Sequence, residues 1–267
     1  MLHFLIMKLG LENKVVFITG GSKGLGLACA RSFVAEGARV SIASRSQENL
    51  DQARHTLAGE GHEVVSVRAD FCNSSEALAA AQQTEKLLGP IDILVNSAGA
   101  AKRRPWEKLD SEAWHQGMDS KYFTYVHAMD AVRPGMVERR RGSVINIIGL
   151  GGKAASTMHL SGGAANAALM LVTAGWANAL GKYGIRVNAV NPGNTLTDRL
   201  QEALRLDAQK QGITEAEALR RNEERVPLSR LAKPEEVAAV VVFLASEQAS
   251  YVTGAIIPMD GGRLATI

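Results

Sequence analysis

The chain has 267 residues, of which 46% are hydrophobic and 21% are charged, and its formal net charge at pH 7 is +3. This composition is that of a globular protein long enough to bury one large core. The small net charge gives no reason to expect nucleic acid as a partner.

The opening MLHFLIM is too short to span a membrane and lacks a signal-peptide pattern. Cys29 and Cys72 have no metal or redox spacing, which indicates free thiols, no metal site and a cytoplasmic protein.

The segment KLGLENK, which follows Met7, looks like the natural start of a domain. We therefore predict an N-terminal extension over residues 1–7 and a single domain over residues 8–267. No internal repeat or low-complexity linker divides that domain.

Short apolar runs alternate with longer helical patterns along this domain. Because the runs are apolar throughout, they indicate strands buried on both faces, as in a parallel sheet covered by helices. The pattern predicts an α/β fold: a doubly wound Rossmann domain with a seven-stranded parallel sheet and helices on both faces. The predicted strands are 14–19, 38–43, 62–67, 91–96, 142–148, 185–190 and 254–259, and the predicted helices are 24–36, 46–59, 74–88, 111–138, 160–182 and 234–246.

One charged segment, residues 195–230, interrupts this rhythm between the sixth and seventh strands. Its pattern is helical, and an insertion at the carboxyl ends of the strands is placed to cover a substrate. We predict a helical substrate lid there. A solvated helical pair without that role is the alternative.

The first strand leads through a glycine-rich turn into a helix, in the sequence VVFITGGSKGLGLACA. Gly20, Gly24 and Gly26 allow a tight turn and a close approach of the backbone to a ligand. The start of the helix offers free N–H groups and the positive end of its dipole to a pyrophosphate. The position of these glycines between a buried strand and a helix favours a dinucleotide site over a purely structural turn.

The end of the second strand, VSIASRS, lacks the acidic residue that usually holds the ribose 2′-OH of NAD. Ser44 and Arg45 stand there instead, and Lys23 lies in the glycine loop. Two cations and a hydroxyl favour the 2′-phosphate of NADP(H), because charge-assisted hydrogen bonds to phosphate are strong. Solvated side chains at these positions are the alternative.

Further motifs resemble those of the short-chain dehydrogenase/reductase family, of the 3-oxoacyl-reductase-like type, from about residue 8 onward. They are TGGSKGLG (19–26), Asp70, NSAG (96–99), GIRVNAVNPG (184–193) with Thr197, and VTGAIIPMDGG (252–262). The resemblance implies that Asp70 and Phe71 flank the adenine, that Asn96, Ala98 and Gly99 line the cofactor's path, and that Thr197 lies on the nicotinamide side. The predicted cofactor-binding residues are Gly20, Ser22, Lys23, Gly24, Leu25, Gly26, Ser44, Arg45, Asp70, Phe71, Asn96, Ala98, Gly99, Lys121, Pro192, Gly193, Thr195 and Thr197.

The resemblance also implies an Asn–Ser–Tyr–Lys catalytic set, and this chain lacks it. The matching positions hold Lys121, Gly149, Gly162 and Asn166, and GGAANAAL aligns without a gap on the family's Y-x-x-x-K-A-A-L. The Asn and the Lys are therefore exchanged, and we expect the ammonium and the amide to meet near the ribose of the cofactor. Two independent losses are the alternative.

The lost tyrosine leaves open which group moves the proton. We predict Lys121, His159 and Asn166 as the catalytic residues, because His159 has a near-neutral reference pKa and burial would depress that of Lys121. A solvent-facing histidine is the alternative for His159. The predicted substrate pocket consists of Gly149, Leu150 and Gly162, and its two glycines are expected to enlarge the site.

The run AKRRPWEK, residues 101–108, follows the NSAG motif at the carboxyl end of a strand. Its cations Lys102, Arg103 and Arg104 would lie near the site and suit an anionic substrate, although a solvated surface is the simpler interpretation.

The resemblance implies a homotetramer or a homodimer, since the equivalents of segments 111–138 and 160–182 pair across a two-fold axis in that family. Both segments are long and unusually apolar, and large apolar faces rarely stay exposed on a monomer.

Three functions remain open from the sequence. The first is an NADP(H)-dependent oxidoreductase acting on a small carbonyl or alcohol with a rebuilt proton relay. The second is a non-redox enzyme, such as a lyase, an isomerase or a hydrolytic dehalogenase, that keeps the nucleotide as a structural or transient cofactor. The third is a catalytically inactive NADP(H)-binding protein. The sequence does not name the substrate.

Overall fold

The computed structural model describes residues 8–99 and 101–265, so the predicted N-terminal extension at 1–7 lies outside the described residues. Seven strands form one sheet in the order β3-β2-β1-β4-β5-β6-β7, and every neighbouring pair is parallel. The strands are β1 (Val15–Thr19), β2 (Arg39–Ser44), β3 (Val64–Arg68), β4 (Ile93–Asn96), β5 (Gly142–Ile147), β6 (Ile185–Pro192) and β7 (Ile256–Met259). The predicted doubly wound parallel sheet is confirmed.

Helices cover both faces of the sheet. Side chains of α1, α2 and α9 form one buried apolar cluster with the strands, and side chains of α3, α5 and α6 form a second cluster. The helices are α1 (Gly24–Ala35), α2 (Gln47–Gly59), α3 (Ser74–Leu88), α4 (Ser111–Met118), α5 (Thr124–Arg139), α6 (Leu160–Gly181), α7 (Asp198–Gln211), α8 (Glu215–Glu223) and α9 (Pro234–Ala245).

The helix predicted over 111–138 differs from the observed one. A π-helical turn, Asp119–Phe123, separates α4 from α5 and carries Lys121. Such turns accommodate an extra residue within a helix and are frequent at functional sites. Hydrophobic periodicity gave no sign of this turn.

The segment predicted as a lid forms α7 and α8. The two helices pack on each other around a small cluster of their own, which includes Leu204, Ala208 and Ala218. The helical prediction for this segment is therefore confirmed, and its function as a lid stays a prediction.

The strand order reverses between β1 and β4, which extend the sheet in opposite directions from one point. In open parallel sheets, the crevice beyond the carboxyl ends of the strands at such a point is where ligands bind. The fold therefore places the glycine loop after β1 and the NSAG motif after β4 on the two sides of one crevice.

Helix α6 presents an apolar face to solvent. Ala164, Ala167, Leu171 and Ala174 are exposed along it, and Leu171 is 77% exposed. The part of the chain that the structure describes contains no helix long and apolar enough to cross a bilayer. The cytoplasmic location and the assembly into a tetramer stay predictions.

We expect the wild-type protein to have about four times the mass of one chain by light scattering, because an assembly would bury the exposed α6 face. Leu171→Glu should lower that mass, since it places a charge in the middle of the face. Leu78→Glu, at an exposed leucine on α3, is the matched control and should leave the mass unchanged. A monomeric wild type, or an L171E variant of unchanged mass, would contradict this assignment of the interface.

Candidate active site

A cleft of about 910 Å³ opens at the carboxyl edge of the sheet, where the strand order reverses. Its walls come from the glycine loop, the segments that follow β2, β3, β4 and β6, the π-helical turn, and the starts of α6 and α7. These segments are far apart in the sequence, and the parallel sheet brings them together.

The glycine loop is shaped by close backbone approaches. Gly20 has a φ of +67°, and a Cβ added there would lie 2.8 Å from the Cα of Ala98. A Cβ added at Gly26 would lie 2.2 Å from the carbonyl oxygen of Gly20. Both contacts require glycine, so the sequence pattern reflects the packing of the loop against the NSAG segment and against the start of α1.

The start of α1 has free backbone donors. Lys23 precedes it with an extended backbone, and within the described residues no side chain caps its N–H groups. By contrast, the Ser46 hydroxyl at the start of α2 accepts a hydrogen bond from the backbone N–H of Asn49. Uncapped N–H groups at the positive end of a helix dipole are a ready site for an anion.

The end of β2 adds positive charge to the same side of the cleft. Arg45 lines the cleft, and its carbonyl oxygen accepts a hydrogen bond of 3.1 Å from Nε of Arg68. The neighbouring Ser44 hydroxyl donates to the carbonyl of Ser46 at 3.3 Å. Lys23 lines the cleft as well, so the chemistry of this end matches the predicted phosphate site.

A buried chain of polar side chains ties the floor of the cleft together. The Thr19 hydroxyl donates to Oδ1 of Asn96 at 3.2 Å, and Nδ2 of Asn96 donates to Oδ1 of Asn146 at 3.0 Å. Nδ2 of Asn146 then donates to the hydroxyl of Thr173 on α6 at 3.0 Å. All four residues are fully buried. Asn96 therefore holds β1, β4, β5 and α6 in register.

The loop after β4 meets the π-helical turn backbone to backbone. Gly99 has a φ of +90°, and a Cβ added there would lie 2.1 Å from the carbonyl oxygen of Ser120. The Thr124 hydroxyl donates to the carbonyl of Lys121 at 2.9 Å. Glycine at position 99 is therefore a requirement of this contact.

Lys121 lines the cleft, and its ammonium is bound by Tyr125 and Ile147. Nζ donates to the Tyr125 hydroxyl at 2.7 Å and to the carbonyl oxygen of Ile147 at 3.3 Å, and the Tyr125 hydroxyl donates to the same carbonyl at 2.5 Å. Burial lowers the pKa of Lys121 to about 7, and the positive charge of Arg199 adds to this shift. Burial raises the pKa of the Tyr125 hydroxyl, which stays protonated.

The space predicted at Gly162 is filled, which corrects the expectation that this glycine enlarges the site. The imidazole of His159 folds over Gly162, where a Cβ would lie 2.1 Å from its Cε1. The amide of Asn166 points at Gly149, where a Cβ would lie 3.2 Å from Nδ2. The imidazole of His159 therefore occupies the volume at Gly162, whereas Gly149 still lines the cleft.

The matched family model is described as Enoyl-(Acyl carrier protein) reductase and covers residues 20–263. The chain belongs to the short-chain dehydrogenase/reductase family. It is 33% identical over 258 residues to the 3-oxoacyl-[acyl-carrier-protein] reductase FabG of Thermotoga maritima, covering 94% of this chain and 98% of that one. It is 32% identical over 256 residues to the 2,3-dihydro-2,3-dihydroxybenzoate dehydrogenase of Bacillus subtilis, and the match covers 95% of this chain and 97% of that one.

A solved structure of another family member shows the same fold with ligands bound. It is the L-sorbose reductase from Gluconobacter frateurii complexed with NADPH and L-sorbose. The two chains superpose with a TM-score of 0.92 at 31% identity, over 98% of this chain and 100% of that one.

Most of the residues predicted from the short-chain dehydrogenase/reductase motifs line the cleft together. They are Gly20, Ser22, Lys23, Gly24, Leu25, Ser44, Arg45, Asp70, Phe71, Ala98, Gly99, Lys121, Gly149, Pro192, Gly193 and Thr197. Among the described residues, seven predicted ones lie outside this lining, namely Gly26, Asn96, Leu150, His159, Gly162, Asn166 and Thr195.

No hydrogen bond joins Lys121 to Asn166 within the described residues, and their expected meeting near the ribose of the cofactor stays a prediction. The hydrogen bonds of Lys121 go to Tyr125 and Ile147, while the amide nitrogen of Asn166 points at Gly149. His159 is half-buried, which differs from the solvent-facing alternative. Burial lowers its pKa, with smaller effects from the charges of Arg103 and Lys121.

Several lining residues were outside the predicted set, notably Ser46, Asn49, Thr124, Tyr125 and Arg199. Helix-cap chemistry at the start of α2 was the available signal for Ser46, and the spacing of one helical turn from Lys121 was the signal for Tyr125. No pattern in the sequence pointed to Arg199, because its position depends on how α7 returns over the cleft.

The contact between His159 and Gly162 predicts a strong coupling between these positions. Gly162→Ala should lower the free energy of unfolding by about 1–3 kcal/mol, because the added methyl group collides with the imidazole. In a His159→Ala background the same change should be neutral or stabilising by up to about 1 kcal/mol, since alanine favours a helix over glycine. Urea unfolding of the four proteins checks this, and additive effects of the two changes would contradict the contact.

Proposed function

We propose that the protein is an NADP(H)-dependent oxidoreductase that interconverts a small carbonyl compound and the corresponding alcohol in a rebuilt active site. The observation that carries the proposal is the continuous cleft from the uncapped start of α1, with Lys23 and Arg45, to the ammonium of Lys121. The NADPH complexes of family members support the choice of cofactor, among them the L-sorbose reductase and an actinorhodin polyketide ketoreductase with a TM-score of 0.90 and 28% identity.

The residues of the cleft fit the parts of this cofactor. The uncapped N–H groups of α1 and the close backbone approach at Gly20 suit the pyrophosphate. Ser44, Arg45 and the start of α2 suit the 2′-phosphate, and Asp70 with Phe71 would border the adenine. When bound, the nicotinamide supplies or accepts the hydride, so the chain itself has to bind the substrate and move one proton.

Lys121 is the proposed proton donor and the replacement for the lysine that position 166 lacks. It lines the cleft, and Tyr125 and Ile147 fix the direction of its ammonium. A pKa of about 7 leaves both protonation states populated at neutral pH, which suits a general acid in reduction and a general base in oxidation. The imidazole of His159 lies over Gly162 and the amide of Asn166 lies against Gly149, and we assign both residues a positioning role at the start of α6.

Replacing Arg45 should lower the affinity for NADPH much more than the affinity for NADH. Arg45→Gln should weaken NADPH binding about tenfold or more while changing NADH binding little, because a charge-assisted bond to the 2′-phosphate contributes about 1.5–3 kcal/mol. Calorimetry measures both affinities. Arg54→Gln, on the far side of α2 and outside the cleft lining, is the matched control. Equal affinity of the wild type for NADPH and NADH would end the assignment of NADP(H).

The reaction is tested by the absorbance of NADPH during incubation with a panel of keto sugars, cyclic ketones and oxo acids. We expect turnover, with a reduction rate that falls as the pH rises through about 7, because the donating ammonium of Lys121 is then lost. Lys121→Met should remove turnover, and Lys121→Arg should lower it about 100-fold or more, because arginine does not release its proton near neutral pH.

The same experiment separates the other two functions. A product formed without net oxidation of NADPH would favour a non-redox enzyme that retains the nucleotide. NADPH binding without any product from the panel would favour an inactive binding protein. A Lys121→Met variant that binds NADPH and turns over like the wild type would remove Lys121 from the mechanism.

A further inference from the structure

The lining of the cleft is rich in cations. Lys102, Arg104 and Arg199 line the cleft together with Lys121. They come from three separate elements, namely the loop after β4, the π-helical turn and the first turn of α7. Their convergence on one cavity is therefore a property of the tertiary structure.

These cations are not neutralised by the protein. Within residues 8–99 and 101–265, none of the salt bridges includes Lys102, Arg104, Lys121 or Arg199. On the same helix as Arg199, by contrast, Arg205 is paired with Glu202 at 2.8 Å.

Arg104 is held in place by neutral partners. Its Nη2 donates to Oε1 of Gln116 on α4 at 3.0 Å, and its backbone N–H donates to the carbonyl of Met158 at 3.1 Å. These contacts attach the loop after β4 to the segment that precedes α6. The guanidinium is half-buried at the wall without a carboxylate partner, which leaves its charge available to a ligand.

Three acids also line the cleft. The Asp70 carboxylate accepts a hydrogen bond of 3.0 Å from the backbone N–H of Cys72. Asp119 lies toward the adenine end, where its carbonyl oxygen accepts a contact of 3.6 Å from Sγ of Cys72. Asp198 begins α7 beside Arg199. With six cations and three acids among its described residues, the lining of the cleft carries an excess of positive charge.

We propose that the substrate is a small carbonyl compound, or its alcohol, that carries an anionic group, a carboxylate or a phosphate, bound by Arg104 and Arg199 with Lys102 at the rim. This inference rests on the proposed function and specifies the substrate class of the same cleft. The proposed function assigns the cofactor phosphates to Lys23, Arg45 and the start of α1, which leaves Lys102, Arg104 and Arg199 for the substrate. A planar guanidinium group binds a carboxylate or a phosphate through bidentate hydrogen bonds. Such binding would orient the carbonyl group of the substrate toward Lys121.

The test compares pairs of carbonyl compounds in which one member carries an anionic group and the other does not. The pairs are 3-oxobutanoate with its methyl ester, 4-oxopentanoate with its methyl ester, and dihydroxyacetone phosphate with dihydroxyacetone. We expect kcat/KM with NADPH to be at least about tenfold higher for the anionic member of at least one pair. Preference for the oxo acids identifies a carboxylate, and preference for the phosphate compound identifies a phosphate.

Two variants locate the effect, and a third serves as the control. Arg104→Gln and Arg199→Gln should each lower kcat/KM for the anion about tenfold, while the neutral partner changes less than about twofold. NADPH affinity should stay the same in both variants. Arg205→Gln, on the same helix as Arg199 but outside the cleft lining, should change neither substrate.

The outcomes distinguish this inference from the proposed function. Equal or faster reduction of the neutral members overturns the anionic substrate and leaves the reductase intact. If Arg104→Gln and Arg199→Gln lower kcat/KM equally for both members of a pair, the arginines have a structural role. If these variants bind NADPH more weakly, the arginines contact the cofactor. Either result overturns the anionic substrate. If no compound is reduced, calorimetry of the NADP⁺-loaded protein decides: tighter binding of an anion than of its neutral partner supports the inference, and equal binding overturns it.

Discussion

The buried amide of Asn96 is the contact on which the geometry of the cleft depends. It lies where the strand order reverses and links Thr19 on β1 to Asn146 on β5, which continues to Thr173 on α6. Its Nδ2 also approaches the carbonyl of Tyr125 at 3.4 Å. Buried polar groups are costly unless they are paired, so this chain of bonds favours one relative placement of three strands and two helices. The Thr19 hydroxyl also accepts hydrogen bonds from the backbone N–H groups of Ser97 and Ala98, so the NSAG segment belongs to the same network.

The two ends of the cleft use positive charge in different ways. At the start of α1 the charge belongs to the backbone, because uncapped N–H groups and the helix dipole need no titrating side chain. At Lys121 the charge belongs to a side chain that burial and Arg199 both disfavour. The first end is thus insensitive to pH, whereas the second changes its charge near neutrality. Binding of a phosphate is served by a charge that does not depend on pH, whereas proton transfer needs a group that titrates near neutral pH.

Hydrophobic pattern and glycine spacing were sufficient to predict the fold. The apolar runs are buried strands because both sheet faces are covered, and Gly20 and Gly26 are needed where backbones touch. The site was only partly predictable. The π-helical turn under Lys121 has no hydrophobic signature, and a gap-free alignment gives no information on which side chains fill the volume left by a glycine. The imidazole of His159 over Gly162, and the approach of the Arg199 charge to Lys121, result from tertiary packing that local sequence does not encode.

The contact between Gly99 and Ser120 couples the position of the loop after β4 to the position of the π-helical turn. Residue 99 lies in the loop that the cofactor would pass, and the carbonyl it touches belongs to the residue before Lys121. Because this contact is backbone against backbone, no side-chain rotation is available to absorb a displacement. Any movement of the NSAG loop as a nucleotide enters would therefore be passed directly to the turn that carries the lysine, so loading of the nucleotide and alignment of the ammonium would occur as one event.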